Sequence, residues 1–263
     1  MKHQITSAFL PNKPLEQRTT LLILITWIVG TFLFWNFADT TILSKPFDIV
    51  TSAKTLISEH YFLTDLFIST TLCIKAMFYA IVISYSISLL SIIPFFRPSA
   101  SFVAKARFLS TVGLTFIFAQ ATSDTSSQKT SILVFCITVF LVTSFLSIIA
   151  SVKSAEYDYA RTLKLNAWES VWHVIVIGKA DLFLDMIRQN FAIAWMMLAM
   201  VENLCRADGG IGVVLTDQNK HFHLDAVYAI QIIILIVGIF LDWFLGFLRR
   251  TLFPYTTLTT GHK

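Results

Sequence analysis

Ser154-Ala-Glu-Tyr-Asp-Tyr-Ala-Arg-Thr-Leu-Lys-Leu-Asn-Ala-Trp-Glu-Ser-Val-Trp-His173 is a charged interruption between two long apolar runs, and its reading decides the fold. In its first half Tyr157, Ala160 and Leu163 recur at helical spacing, while Asp158, Arg161 and Lys164 fall on other sides. After Leu165-Asn166, a second stripe holds Trp168, Val171, Trp172 and Ile175. The pattern predicts helix, turn, helix, with an apolar face on each part.

Working outward, the composition is that of an integral membrane protein: 56% of the 263 residues are hydrophobic, only 14% are charged, and mean hydropathy is +0.71. The surplus of base, +4 with a pI near 9.0, is scattered at the ends of apolar runs, which excludes a nucleic-acid patch and points to membrane topology. Cys73, Cys136 and Cys205 share no short spacing, so neither a disulfide framework nor a zinc site is indicated. Six apolar runs predict spans at 21–37, 76–96, 108–123, 130–152, 189–205 and 226–248, with Glu202 inside the fifth and Asp242 inside the sixth. The third and fifth are short for a perpendicular helix, so protein should shield them. Residues 46–60, with Ile49, Val50, Ala53, Leu56 and Ile57, predict a short amphipathic helix on the outer face.

Lysine and arginine orient the spans. Lys153, Arg161, Lys164, Lys179 and Arg188 crowd the interruption, and Arg97, Lys105 and Arg107 share its side; Lys45, Lys54, Lys75, Lys129, Arg206 and Lys220 fall on the other. Both termini and the loop 153–188 are therefore expected in the cytoplasm. The organisation is a tail at 1–20, a membrane domain at 21–250 and a tail at 251–263.

Asp158-Tyr159-Ala160-Arg161-Thr162-Leu163, followed by Ala167-Trp168, resembles the glutamate-alanine-alanine loop of binding-protein-dependent ABC transporter permeases. It is most similar to the branch that imports nitrate, sulfonates, taurine or bicarbonate, whose motif reads EAARSLGAS-x-W. Ala194-Trp195 with Val201-Glu202-Asn203 resembles that family's GW…AAEM span, and Gly209-Gly210-Ile211-Gly212 its SGIG turn. Leu241-Asp242 and Leu248-Arg249-Arg250-Thr251-Leu252-Phe253-Pro254 resemble its LLD…LRRLLPW ending. The likeness covers roughly residues 46–255.

The resemblance implies an all-α, six-span permease of the type I ABC importer kind, in a bacterial-type cytoplasmic membrane. Asp158, Tyr159, Ala160, Arg161, Leu163 and Lys164 would then form the ATPase-coupling helix, with Ala160 and Leu163 packed in a groove of the ATP-binding subunit and the charges at its rim. ATP and Mg would sit on that partner, with no cofactor in this chain. A second permease copy or a paralogue would complete the path, an extracytoplasmic binding protein would deliver the solute, and small anions are favoured, although the apolar runs as drawn contain no arginine. The sequence departs from the motif at Asp158 for glutamate, Tyr159 for alanine and Lys164 for glycine. The last predicts a different turn, with Asn166 taking the left-handed conformation. Val176-Ile177 stands where the family has Leu-Pro.

Candidate path residues are Thr115 and Gln120 on the third span, and Trp195 and Glu202 on a helical row with Leu198 and Ala199. The same row reads equally as helix packing. Asp242, about two turns from Arg249 and Arg250, reads as their structural ion-pair partner. His221-x-His223 lacks further ligands at metal spacing, and the Gly209–Gly212 stretch reads as a flexible outer turn. No phosphate-binding glycine-lysine loop occurs, so ATP hydrolysis by that route is excluded. The rival reading is a six-span secondary transporter or channel whose loop lies on the membrane surface; a membrane-embedded enzyme is disfavoured because the histidines and acids form no catalytic cluster.

Overall fold

The computed structural model describes residues 17–37, 44–58, 60–206 and 209–254, and these form helices and connecting turns without a strand. The tails at 1–16 and 255–263 lie outside the described residues. Helix α1 covers Gln17–Phe37, α2 Pro46–Ser58 and α3 His60–Leu90. Next come α4, Arg97–Lys105, and α5, Thr111–Ala121, separated by a single 3-10 turn at Ala106–Phe108. Helix α6 is Thr125–Ala150, α7 Ser154–Thr162, and α8 Ala167–Val171, which runs on into a π turn at Trp172–Ile177. Then follow α9, Ala180–Leu204, α10, Ile211–Lys220, and α11, Leu224–Leu252.

Helices α1, α3, α6 and α11 are each long and apolar enough to cross a membrane, and the α4–α5 pair, bent by 113°, makes a fifth if taken as one broken span. The chain is thus an all-α protein with the helices of a membrane protein. Three expected boundaries move. The second run extends back to Tyr61, because Lys75 is a good helix former and does not end a helix. The third run starts at Arg97 and breaks before Thr111. The fifth lies inside α9, whose Asp181, Asp185, Arg188 and Glu202 leave it outside the set defined by length and apolarity.

Helix α6 is central. Its N-terminus is capped by Asp124, whose carboxylate accepts the Ser127 amide (3.2 Å) and hydroxyl (2.7 Å). Ile132, Leu133, Ile137, Leu141 and Phe145 on α6 are fully buried, and the helix is flanked by α3, α5 and α9. Phe145, Tyr85 and Phe183 meet edge to face at 5.0–6.2 Å, joining α6, α3 and α9. A second cluster, Ile49, Leu56, Phe62, Ile211 and Ile230, seats the amphipathic α2 against α3, α10 and α11. Helix α1 buries none of its apolar window against the rest of the chain.

At the other end of the bundle, Arg188 grips Asp242 with two parallel bonds of 2.7 Å, and Arg249 reaches Asp185 at 2.6 Å. Asp242 therefore pairs across to α9, not along its own helix to Arg249 or Arg250 as its sequence position suggested. Side chains meet along a helix at three or four residues, not at seven or eight.

Candidate functional site

The loop after α6 is a compact projection. Helix α7 starts beyond Lys153, and at its far end the backbone turns at Lys164, which has a φ of +58°. The Lys164 amide donates to the Arg161 carbonyl (2.9 Å) and the Leu165 amide to the Ala160 carbonyl (3.3 Å). These two bonds define a Schellman termination, whose left-handed position is most often glycine. The lysine thus takes up the glycine conformation itself. Asn166 is extended instead, with φ −63° and ψ 163°, and starts α8; the Glu169 carboxylate accepts its amide at 2.7 Å. The expectation that Asn166 would be left-handed is corrected: the helix carbonyls left open at Ala160 and Arg161 fix the reversal at Lys164, one residue past the C-cap.

The two short helices and the π turn pack on one another, which buries Ala160 (2% exposed), Ser170 and Ile175. What faces outward is Tyr159 (69%), Leu163 (56%), Trp168 (68%) and Trp172 (56%), with Asp158 and Arg161 in an exposed pair at 3.3 Å beside them. Ala160 is therefore an internal packing residue of the loop, and the apolar side chains left exposed to a partner are Leu163 and the aromatics Tyr159, Trp168 and Trp172. Glu156 accepts from Lys179 at 2.8 Å, tying α7 to the start of α9. That hydrogen bond holds the Glu156 carboxyl below its ordinary value. The loop is thus braced to a long helix of the bundle.

The path candidates do not gather at one place. The Trp195 indole donates to the Ile234 carbonyl (3.1 Å), its ring stacks on Phe191, and it is nearly buried between α9 and α11. Thr115 donates its hydroxyl to the Val112 carbonyl (2.6 Å), and its own carbonyl accepts from Gln128. Gln120 is exposed on α5.

Glu202 is 1% exposed. Its carboxylate accepts from the Ser69 hydroxyl and, at 2.8 Å, from the Gly212 amide. The Gly210 amide donates to Asp65 (3.1 Å), the Ile211 amide to Ser69 (2.9 Å), and Lys129 donates to the Gly209 carbonyl (3.0 Å). Three backbone amides at the start of α10 are thus held by side chains of α3 and α9. Gly210 sits at φ +114° with Glu202 only 2.6 Å from where a Cβ would stand, so any side chain would be excluded. The glycine stretch is a clamped helix start, where the sequence suggested a flexible turn. The charge nearest Glu202 in sequence is Arg206, four residues on, so the sequence did not point to Ser69 or the Gly212 amide as its partners.

His221 and His223 stack at 6.1 Å and bond to Asp217 and Gln218. Among the described residues no three His, Cys, Asp or Glu side chains come together as a metal site. All three cysteines are buried and free. No protein-family model matches the chain, and no curated protein matches it.

Proposed function

We propose that this chain is the transmembrane permease subunit of an ABC importer, with six spans counting α9, which forms the path for a small solute and is driven by separate ATPase subunits. The observation that carries the reading is the braced projection at Ser154–Thr162 with its outward aromatic and leucine face. Lys164 there adopts the backbone conformation for which the resembling family uses glycine. A helix held rigidly at both ends can pass motion from a docked ATPase to α9 through Glu156 and Lys179, and ATP then biases the bundle between two arrangements. A second permease copy and an extracytoplasmic binding protein complete the assembly, in a bacterial-type cytoplasmic membrane with both termini inside.

Leu163→Asp tests it. The side chain is exposed, so the fold should survive, while a carboxylate in an apolar groove is strongly unfavourable without a partner. The variant should reach the membrane and lose copurification of the ATPase. If wild type copurifies no ATPase from its native membrane, or Leu163→Asp retains one, the loop is a surface-lying element and the transporter-or-channel reading replaces this one.

A further inference from the structure

Helix α4 has three faces. Ala100 is buried, and Val103 and Ala104 are half-buried, where the helix meets α3 and α6. Arg97, Ser101 and Lys105 recur at every fourth residue along a second face, and all three are exposed. Phe102, about 100° round the helix from Ser101, is 75% exposed on the third. Phe95 and Phe96, just before the helix, and Phe108, just after it, are exposed as well. Arg107, in the turn that follows, is exposed and lies over the Phe108 ring at 5.0 Å.

The helix lies across the end of the bundle that carries the 153–188 loop. Arg97 and Ser101 line a recess of about 360 Å3 with Ser91, just past the end of α3, and with Leu146, Ile149 and Ala150 at the end of α6. Helix α5 packs on α6, where Gln128 donates to the Thr115 carbonyl (3.0 Å) and the Phe118 and Phe135 rings are 6.0 Å apart. The 113° bend turns α4 across the direction of α5. A short helix laid across the ends of two spans, with a packing row, a basic row and an exposed aromatic side, has the form of an interfacial helix. Arg97, Lys105 and Arg107 make no ion pair among the described residues, and the sequence holds no acid between Asp65 and Asp124. Their counter-charge therefore comes from outside the chain. Anionic headgroups supply it at the depth where phenylalanine rings enter the acyl region, whereas an acidic soluble partner would meet the charges and leave the rings uncovered.

We propose that α4 and the turn after it form a lipid-recognition element, lying in the membrane interface with Arg97, Lys105 and Arg107 on the headgroups of anionic phospholipids and Phe102 among their acyl chains. It is independent of the permease reading and needs only that α3 and α6 cross the membrane. The full chain is placed in nanodiscs of phosphatidylcholine and phosphatidylglycerol, and the lipids it retains on release into detergent are weighed by native mass spectrometry. Wild type should retain phosphatidylglycerol in preference to phosphatidylcholine. Each basic residue near an anionic surface contributes about fivefold, so the triple variant Arg97→Gln, Lys105→Gln, Arg107→Gln should cut that preference at least tenfold. Arg107→Lys and Arg250→Gln should leave it within about twofold. The three side chains are exposed, so the triple variant should melt as wild type does. Depth is read separately from spin labels on Ser101→Cys and Phe102→Cys, the native thiols being buried. The label at 102 should be relaxed more by oxygen and the label at 101 more by a water-soluble nickel chelate. Equal retention of the two lipids by wild type, wild-type preference in the triple variant, or a label at 102 as open to nickel as that at 101 overturns the proposal. Loss of the preference on adding sodium phosphate at constant ionic strength also overturns it, by making the basic row a free-anion site. ATPase copurification should be unchanged in the triple variant, so its absence in wild type would refute the permease reading and leave the lipid helix standing.

Discussion

Lys164 holds a left-handed conformation that costs an L side chain on the order of 1 to 2 kcal/mol. Lys164→Gly removes that cost but also gives the unfolded loop more freedom, which returns roughly 0.4 to 1 kcal/mol. The net should be a gain of about 0.5 to 1 kcal/mol in the closed state of the turn. The two termination bonds, Lys164 to Arg161 and Leu165 to Ala160, are the reporters. Hydrogen exchange of the amides at 164 and 165, followed by mass spectrometry in detergent, should slow roughly two- to fivefold, since 1.4 kcal/mol is a factor of ten. Lys164→Val, branched at Cβ and harder to accommodate at positive φ, should speed exchange and fray the end of α7. Faster exchange in Lys164→Gly would mean that the lysine side chain, not the backbone geometry, holds the turn, and the reading of this loop as a glycine-type coupling turn would lose its physical basis.

Glu202→Ala should lower the unfolding temperature, at a cost of about 1 to 3 kcal/mol, because it strands the Gly212 amide and the Ser69 hydroxyl; Glu202→Gln keeps an acceptor and should cost less, and a thermal melt that ranks them otherwise contradicts the clamp. A double-mutant cycle on Arg188 and Asp242 should give a coupling near 1 kcal/mol, modest because both side chains are part-exposed, whereas a cycle on Asp242 and Arg250 should give none. The Lys179 hydrogen bond holds the Glu156 carboxyl below its ordinary value, so that bond contributes fully above the ordinary carboxylate range and is lost as pH falls through the lowered value; Lys179→Gln should erase this acid-side slope in loop protection. For topology, cysteines placed at the exposed Glu169 and Ser123 should label with an impermeant thiol reagent, the first only after permeabilisation and the second in intact spheroplasts; the three native thiols are buried, so background is low, and a reversed pattern refutes the orientation. Ser170, equally central in the loop sequence, is buried and would report accessibility, not sidedness.

The sequence alone determined the helical membrane class, the amphipathic α2, and the helix, turn, helix character of 154–173, because these follow from composition and from side chains that repeat along one helix. The stripes Tyr157, Ala160, Leu163 and Trp168, Val171, Trp172, Ile175 were legible as a pattern, but the exposed Tyr159 lay outside them. Their direction was not legible, since whether Ala160 points into the loop or out to a partner depends on how α7 and α8 fold onto each other. Tertiary structure decided what depends on residues distant in sequence: Asp242 with Arg188, Asp185 with Arg249, and Glu202 with Ser69 and Gly212, separated by 54, 64, 133 and 10 positions. It also decided the break before Thr111, where the α4–α5 pair bends by 113°. Hydropathy counts apolar residues along the chain and carries no information about where the chain reverses within the bundle.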